Sequence, residues 1–302
     1  MSSDFRATLP SEFVENVLGV CGPRGDAWLR DLPQRISELE SKWKLKVGPH
    51  FNDLSYNFVA PADRADGLQL VLKLGLPADD GEYFGEVAYL RLLSGDGAVR
   101  LIDENRAARA LLLQRAIPGD NLRIAFGRSH HKVVEAAIRI LNGVIRKPPA
   151  NKSDFIPLEQ WTQKLNDPEN KEFPANYIQK AIEIFDGTNG TQYRLLHGDF
   201  HHENILSNGS ETFLVIDPKG LIGDPRYDIA VFLNNHRDWL RSEPQLRSAL
   251  GHAVNRFADE FGFSSSSIRE WAFAQKVLGA YWTCAEGHSW REQLASADIW
   301  DV

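Results

Sequence analysis

The chain has 302 residues, 43% of them hydrophobic and 25% charged, so it carries enough apolar material for a sizeable core in one or two domains. Its formal net charge of −7 gives no electrostatic reason to expect nucleic acid or an anionic membrane as partner, and leaves a cationic ligand compatible. Two cysteines far apart, Cys21 and Cys284, speak against a disulfide scaffold and a CxxC zinc spacing; with no run of about 18 apolar residues and no apolar stretch near the start, the expectation is a cytoplasmic protein, neither exported nor inserted.

In chain order, Trp43, Leu45 and Val47 alternate with Lys44 and Lys46, "SYNFVA" (55–60) follows a polar turn, and "LQLVLKL" (68–74) follows a "PADRADG" loop, which reads as three antiparallel strands. In the third, Lys73 shares a face with Gln69 and Val71, away from the leucines. Asp79 is placed to cap a helix with Glu82 three positions on, and Tyr83, Val87 and Leu90 recur at helical spacing around Glu86. Two further strands, "AVRLI" (98–102) and "ARALLLQRA" (108–116), complete a β-rich unit to about residue 116. Beyond it the pattern is mostly helical: Val134, Ile138, Leu141 and Ile145 form one apolar stripe, Ile178, Ile182 and Phe185 a second, and Leu246, Leu250, Val254 and Phe257 a third.

Between these helices lies "HGDFHHENIL" (197–206), followed by a hairpin made of "NILS", an Asn208-Gly209 turn and "FLVID" (213–217). Three readings compete. His197, Asp199, His201 and His202 could converge on zinc or iron, as in a metallohydrolase, although the other histidines show no paired spacing. The stretch could be a polar loop whose side chains cap backbone groups. Or Asp199, Asn204 five residues on and Asp217 thirteen beyond that could serve phosphoryl transfer: one carboxylate to orient the attacking hydroxyl, and two hard oxygens for Mg²⁺.

The stretch "HGDFHHENIL" with "LVIDPKGLIGDPRYDIAVFL" resembles the catalytic segment of the aminoglycoside and hydroxyurea antibiotic resistance kinases, a branch of the aminoglycoside phosphotransferases that includes streptomycin 6-phosphotransferases. "HGD" stands where protein kinases carry "HRD". The resemblance implies an α+β, bilobal protein-kinase-like fold: a small antiparallel sheet with one helix over 1–116, and a larger helical lobe over 117–302. It implies ATP and Mg²⁺, with Asp199 catalytic, Asn204 and Asp217 as metal ligands, Lys73 on the phosphates under the hold of Glu86, and backbone near Gln114 and Ala116 at the adenine edge. Asp228 would brace the loop, His197 would shape it, and His202 and Glu286 would lie near substrate. The glycine-rich phosphate loop of protein kinases has no counterpart in "GPHFNDLSYNF" (48–58). The implied substrate is a small-molecule hydroxyl, on an aminoglycoside such as streptomycin or, alternatively, on hydroxyurea or another metabolite; oligomeric state is left open.

Overall fold

The structure, a computed structural model, describes residues 5–78, 81–166, 172–187, 193–210 and 212–302; the expected cap Asp79 lies outside them. The chain divides into two compact units, one ending at Tyr83 and resuming over Val99–Ala116, the other formed by Phe84–Ala98 and Ile117–Val302.

The first unit is a helix laid on a sheet. Helix α1 (Ser11–Trp43) breaks at Gly22 (φ 52°, ψ −130°), a conformation open to glycine, just before Pro23. It closes where Lys44 turns left-handed and returns its N–H to Glu40. Trp43 therefore ends the helix instead of opening a strand, and its indole donates to Asp103 at 3.0 Å. Strands β1 (Leu45–Val47), β2 (Phe58–Arg64), β3 (Gln69–Leu74), β4 (Leu101–Asn105) and β5 (Ala110–Gln114) make one antiparallel sheet in the order β1-β2-β3-β5-β4. The expected loop at Pro61 is strand instead, because Phe58, Ala60 and Ala62 keep the alternation and bury against Phe13, Trp28 and Leu32 of α1.

The second unit takes in most of helix α2 (Glu82–Leu93) through its own packing. A Cβ on Gly85 would sit 2.3 Å from the Lys219 carbonyl oxygen, and one on Gly220 would sit 2.4 Å from that of Gly85. Only two glycines allow helix and loop to approach so closely. Strand β6 (Pro118–Asn121), helix α3 (Leu122–Phe126) and helix α4 (His130–Val144) follow. Then come β7 (Ile156–Pro157), α5 (Leu158–Thr162), α6 (Ala175–Asp186) and β8 (Arg194–Leu196), and next the hairpin of β9 (Ile205–Asn208) and β10 (Phe213–Val215). Strand β11 (Leu221–Gly223) leads into α7 (Arg226–Leu240), α8 (Leu246–Phe261) and α9 (Ser265–Ala285). The three apolar stripes lie on α4, α6 and α8; α9 packs on α7 and α6, and α4 on α8. Strand β6 pairs with β9, making one three-stranded sheet, β10-β9-β6; the other is β7-β11-β8. Asp224, two residues before the start of α7, accepts from Arg226 N at 2.9 Å and so satisfies a backbone donor at the helix N-terminus. Among the described residues no helix is long and apolar enough to cross a membrane.

Candidate active site

The 197–204 loop leaves β8 through Gly198 (φ 85°) and is held from beneath by α7. The carboxylate of Asp228, in the first turn of that helix, accepts from His197 N at 2.8 Å and Gly198 N at 2.7 Å. Burial pushes this carboxyl up to about 7, against the two backbone donors that favour its charge. His197 is buried too, and burial takes its imidazole down to about 4. The neutral ring then has one defined tautomer: Nε2–H donates to the Ile216 carbonyl at 2.9 Å and Nδ1 accepts from Asp199 N at 3.2 Å. One histidine thus ties the loop to the end of β10. Tyr89 of α2 packs edge-on against the same ring, centroids 5.8 Å apart.

Around this frame the polar side chains are paired. His201 Nδ1 lies 3.0 Å from Glu203 Oε2 and its Nε2 lies 3.5 Å from Asp199 Oδ1. Burial opposes its charge, but the two carboxylates prevail and raise it to about 9, so it is an imidazolium at neutral pH. Burial likewise works to raise Asp199, and the bond and charge of His201, with the charge of Lys219, hold it below its ordinary value. Asn204 donates through Nδ2 to Asp199 O at 2.9 Å and to Asp199 Oδ2 at 3.1 Å. His201 Nε2 stands 3.1 Å from the same nitrogen, a donor beside a donor, so both amide hydrogens go to Asp199. The amide oxygen is left as the end of Asn204 that a ligand can use. Asp217 carries φ 56°, an uncommon left-handed setting for a non-glycine residue, and Lys219 Nζ lies 3.9 Å from its carboxylate. The Asp199 and Asp217 side chains keep 34% and 33% of their exposure, so both are open to a small ligand.

The donor set suits a hard divalent cation, with an amide oxygen and a carboxylate, better than a transition metal. Among the described residues no group of three or more His, Cys, Asp or Glu is placed to hold a metal ion. The four-residue zinc or iron cluster does not assemble, because His197 and His202 turn into the interior.

Residues 43–287 match the aminoglycoside/hydroxyurea antibiotic resistance kinase family. The chain belongs to this family. It is therefore a phosphotransferase, and its fold is protein-kinase-like, an antiparallel-sheet unit followed by a mainly helical one. It is 25% identical over 298 residues to a streptomycin 6-kinase of Streptomyces griseus, covering 95% of this chain and 94% of that one. It is 26% identical over 294 residues to a hydroxyurea phosphotransferase of Kitasatospora aureofaciens, covering 92% and 81%. In fold it is similar to a thermostable aminoglycoside phosphotransferase mutant solved with ADP and hygromycin B, with a TM-score of 0.62, 15% identity, and 88% and 96% of the chains covered.

In this family kinase the remaining expected residues fall as follows. Lys73 lies on β3 of the first unit and is 6% exposed, so its strand face is covered rather than solvated; Glu86, on α2 of the second unit, is equally buried. Gln114 gives its N–H to Arg100 O at 2.8 Å and accepts from Arg100 N at 3.2 Å through Oε1, and buried Ala116 closes the first unit. Glu286 is exposed at the C-terminal cap of α9. His202 is corrected: it has no exposed surface, stacks on Phe232 and His236, and shares a 3.1 Å contact from Nε2 to His236 Nδ1. Burial, then the neighbouring His236 and Arg123, keep it neutral, so it packs beneath the loop and cannot touch substrate.

Arg123 and His236 went unread in the sequence. Arg123, just inside α3, pairs with Glu203 at 2.7 Å and lies over the Trp239 ring, so it clamps the outer side of the loop. Its only signal was Asn121, whose side chain caps α3. His236 sits two turns after Asp228 on one face of α7, a spacing that carries no chemistry until the loop folds over it.

Proposed function

We propose that this kinase moves the γ-phosphoryl group of ATP to a hydroxyl of an aminoglycoside, with streptomycin the favoured acceptor. The similarity to a streptomycin 6-kinase over nearly the whole chain supports that choice. One observation carries the chemistry: Asn204 holds Asp199 through its amide nitrogen and so presents its oxygen on the side away from that carboxylate.

Asp199, kept ionised by His201, accepts a hydrogen bond from the acceptor hydroxyl, aims its lone pair at phosphorus and takes the proton as the new O–P bond forms. The bond to ADP breaks in the same displacement. Asn204 Oδ1 and the Asp217 carboxylate would hold Mg²⁺, which supplies charge neutralisation on the phosphates. We assign Lys73 to the nucleotide phosphates, Glu86 to the support of Lys73, and the backbone near Gln114 and Ala116 to the adenine edge. Asp228 and His197 fix the loop so that little reorganisation accompanies the transfer.

A second acceptor is supported at similar identity, the hydroxyl of hydroxyurea. The test is ADP release with Mg²⁺-ATP across streptomycin, other aminoglycosides and hydroxyurea, with product mass recorded. Streptomycin is expected to give the highest kcat/KM and a gain of one phosphoryl group. No ADP release above the acceptor-free rate with any of them would overturn the assignment.

A further inference from the structure

Away from the catalytic loop, Trp161 of α5 and Trp282 near the end of α9 meet edge to face, ring centroids 5.3 Å apart and planes at 86°. The ammonium of Lys164 lies over both rings, 5.5 Å from one centroid and 5.6 Å from the other. Both indoles are half-buried and Lys164 is exposed. Trp161 Nε1 donates to the Tyr227 hydroxyl at 2.9 Å, while the buried Nε1 of Trp282 has no partner among the described residues.

The corner is anchored next to the chemistry. Tyr227 is fully buried and immediately precedes Asp228, the residue that braces the loop, and after burial and the Trp161 bond the charge of Asp199 is among the influences on its phenol. Glu286 follows Trp282 by one helical turn and donates its N–H to the Trp282 carbonyl at 3.0 Å, which adds a carboxylate to the same end of α9.

Two converging indoles attract cations, and most strongly those that give up water easily. A lysine ammonium is strongly hydrated and sits on a flexible stem, whereas a guanidinium or substituted ammonium is less hydrated and stacks. Among the described residues Lys164 makes no ion pair, so only the rings hold it.

We propose that the Trp161–Trp282 corner is the subsite for an organic cation on the acceptor, an ammonium or guanidinium group, and that Lys164 occupies it until the acceptor displaces it. This rests on the aminoglycoside assignment and names which part of such an acceptor the kinase grips.

Steady-state kinetics with streptomycin and Mg²⁺-ATP tests it in Trp282→Leu, Trp282→Phe and Lys164→Ala, with thermal melts to check folding. Trp282→Leu is expected to raise KM for streptomycin about tenfold with KM for ATP far less affected, and Trp282→Phe to recover part of the loss. Lys164→Ala is expected to lower that KM about two- to threefold, because a competing cation is gone. An unchanged streptomycin KM in Trp282→Leu, an equal rise in both KM values, or a raised KM in Lys164→Ala would overturn the subsite. If the wild-type enzyme turns over no acceptor, the phosphotransfer assignment falls separately, and calorimetric titration with streptomycin decides the corner: binding lost in Trp282→Leu supports it, and no binding to wild type overturns it.

Discussion

The loop at 197–204 and the aromatic corner of α5 and α9 belong to the same compact unit and are held in opposite ways. In the loop the groups that frame the site are bonded: Asp228 takes two backbone donors, His197 bridges Ile216 and Asp199, and Asn204 engages Asp199 twice, while beneath it the buried Nδ1 of His202 has no partner among the described residues. At the corner one exposed lysine rests on two rings and one indole N–H has no partner among the described residues. The step common to any acceptor needs fixed geometry, which a dense hydrogen-bond network provides. Recognition of a particular acceptor needs groups that can exchange partners, and these are the loosely engaged ones.

The largest break in this contrast comes from Asp228→Ala. It strands two buried backbone N–H groups at about 1–3 kcal/mol each, offset in part by removing a buried carboxyl, so a loss of about 3 kcal/mol is expected in urea denaturation. A loss under about 1 kcal/mol would mean that the loop is held otherwise. Gly85→Ala comes next, at about 2 kcal/mol, because its Cβ would meet the Lys219 carbonyl oxygen at 2.3 Å, a backbone atom with little room to move. Activity should fall alongside, since the helix that carries Glu86 must shift; unchanged stability and turnover would show that the close approach is slack.

Acid gives a third test. Burial holds His236 neutral down to about 3, against an ordinary value of 6.5, so on lowering the pH the unfolded chain takes the proton first. Its contribution to stability is fully present above pH 6.5 and is lost as pH falls toward 3, amounting to about 2 kcal/mol at pH 5. Melts of wild type and His236→Phe between pH 7.5 and 5 should therefore differ in slope, the variant losing less; parallel curves would remove His236 from the acid response. The smallest effect is expected for Arg123→Ala. Its pair with Glu203 is partly exposed on both sides, so about 0.5 kcal/mol is the expected loss, with a few-fold drop in kcat read in the same ADP-release assay. A loss as large as that of Asp228→Ala would place the main brace outside the loop.

The same contrast explains what the sequence made legible. Asp199, Asn204 and Asp217 fall within nineteen consecutive residues, because a tight loop and one hairpin deliver them, so their spacing could be read directly. The five-strand sheet and the helical stripes were legible for the same local reason, alternation of period two or near 3.6. Misreadings occurred where tertiary contacts overrode local preference. Trp43 looked like a strand residue until Lys44 closed α1 beyond it, and His202 looked like a histidine near substrate although α7 buries it against Phe232 and His236. Trp161 and Trp282, 121 positions apart, left no local pattern at all.

The most direct test of the central claim is Asp199→Asn, assayed with the best acceptor from the ADP-release screen. Turnover is expected to drop about a thousandfold while Mg²⁺-ATP affinity stays within about threefold, because the substitution removes the proton acceptor and leaves Asn204 and Asp217 in place. Turnover near the wild-type rate would contradict the role given to Asp199 and the phosphotransfer geometry built around it.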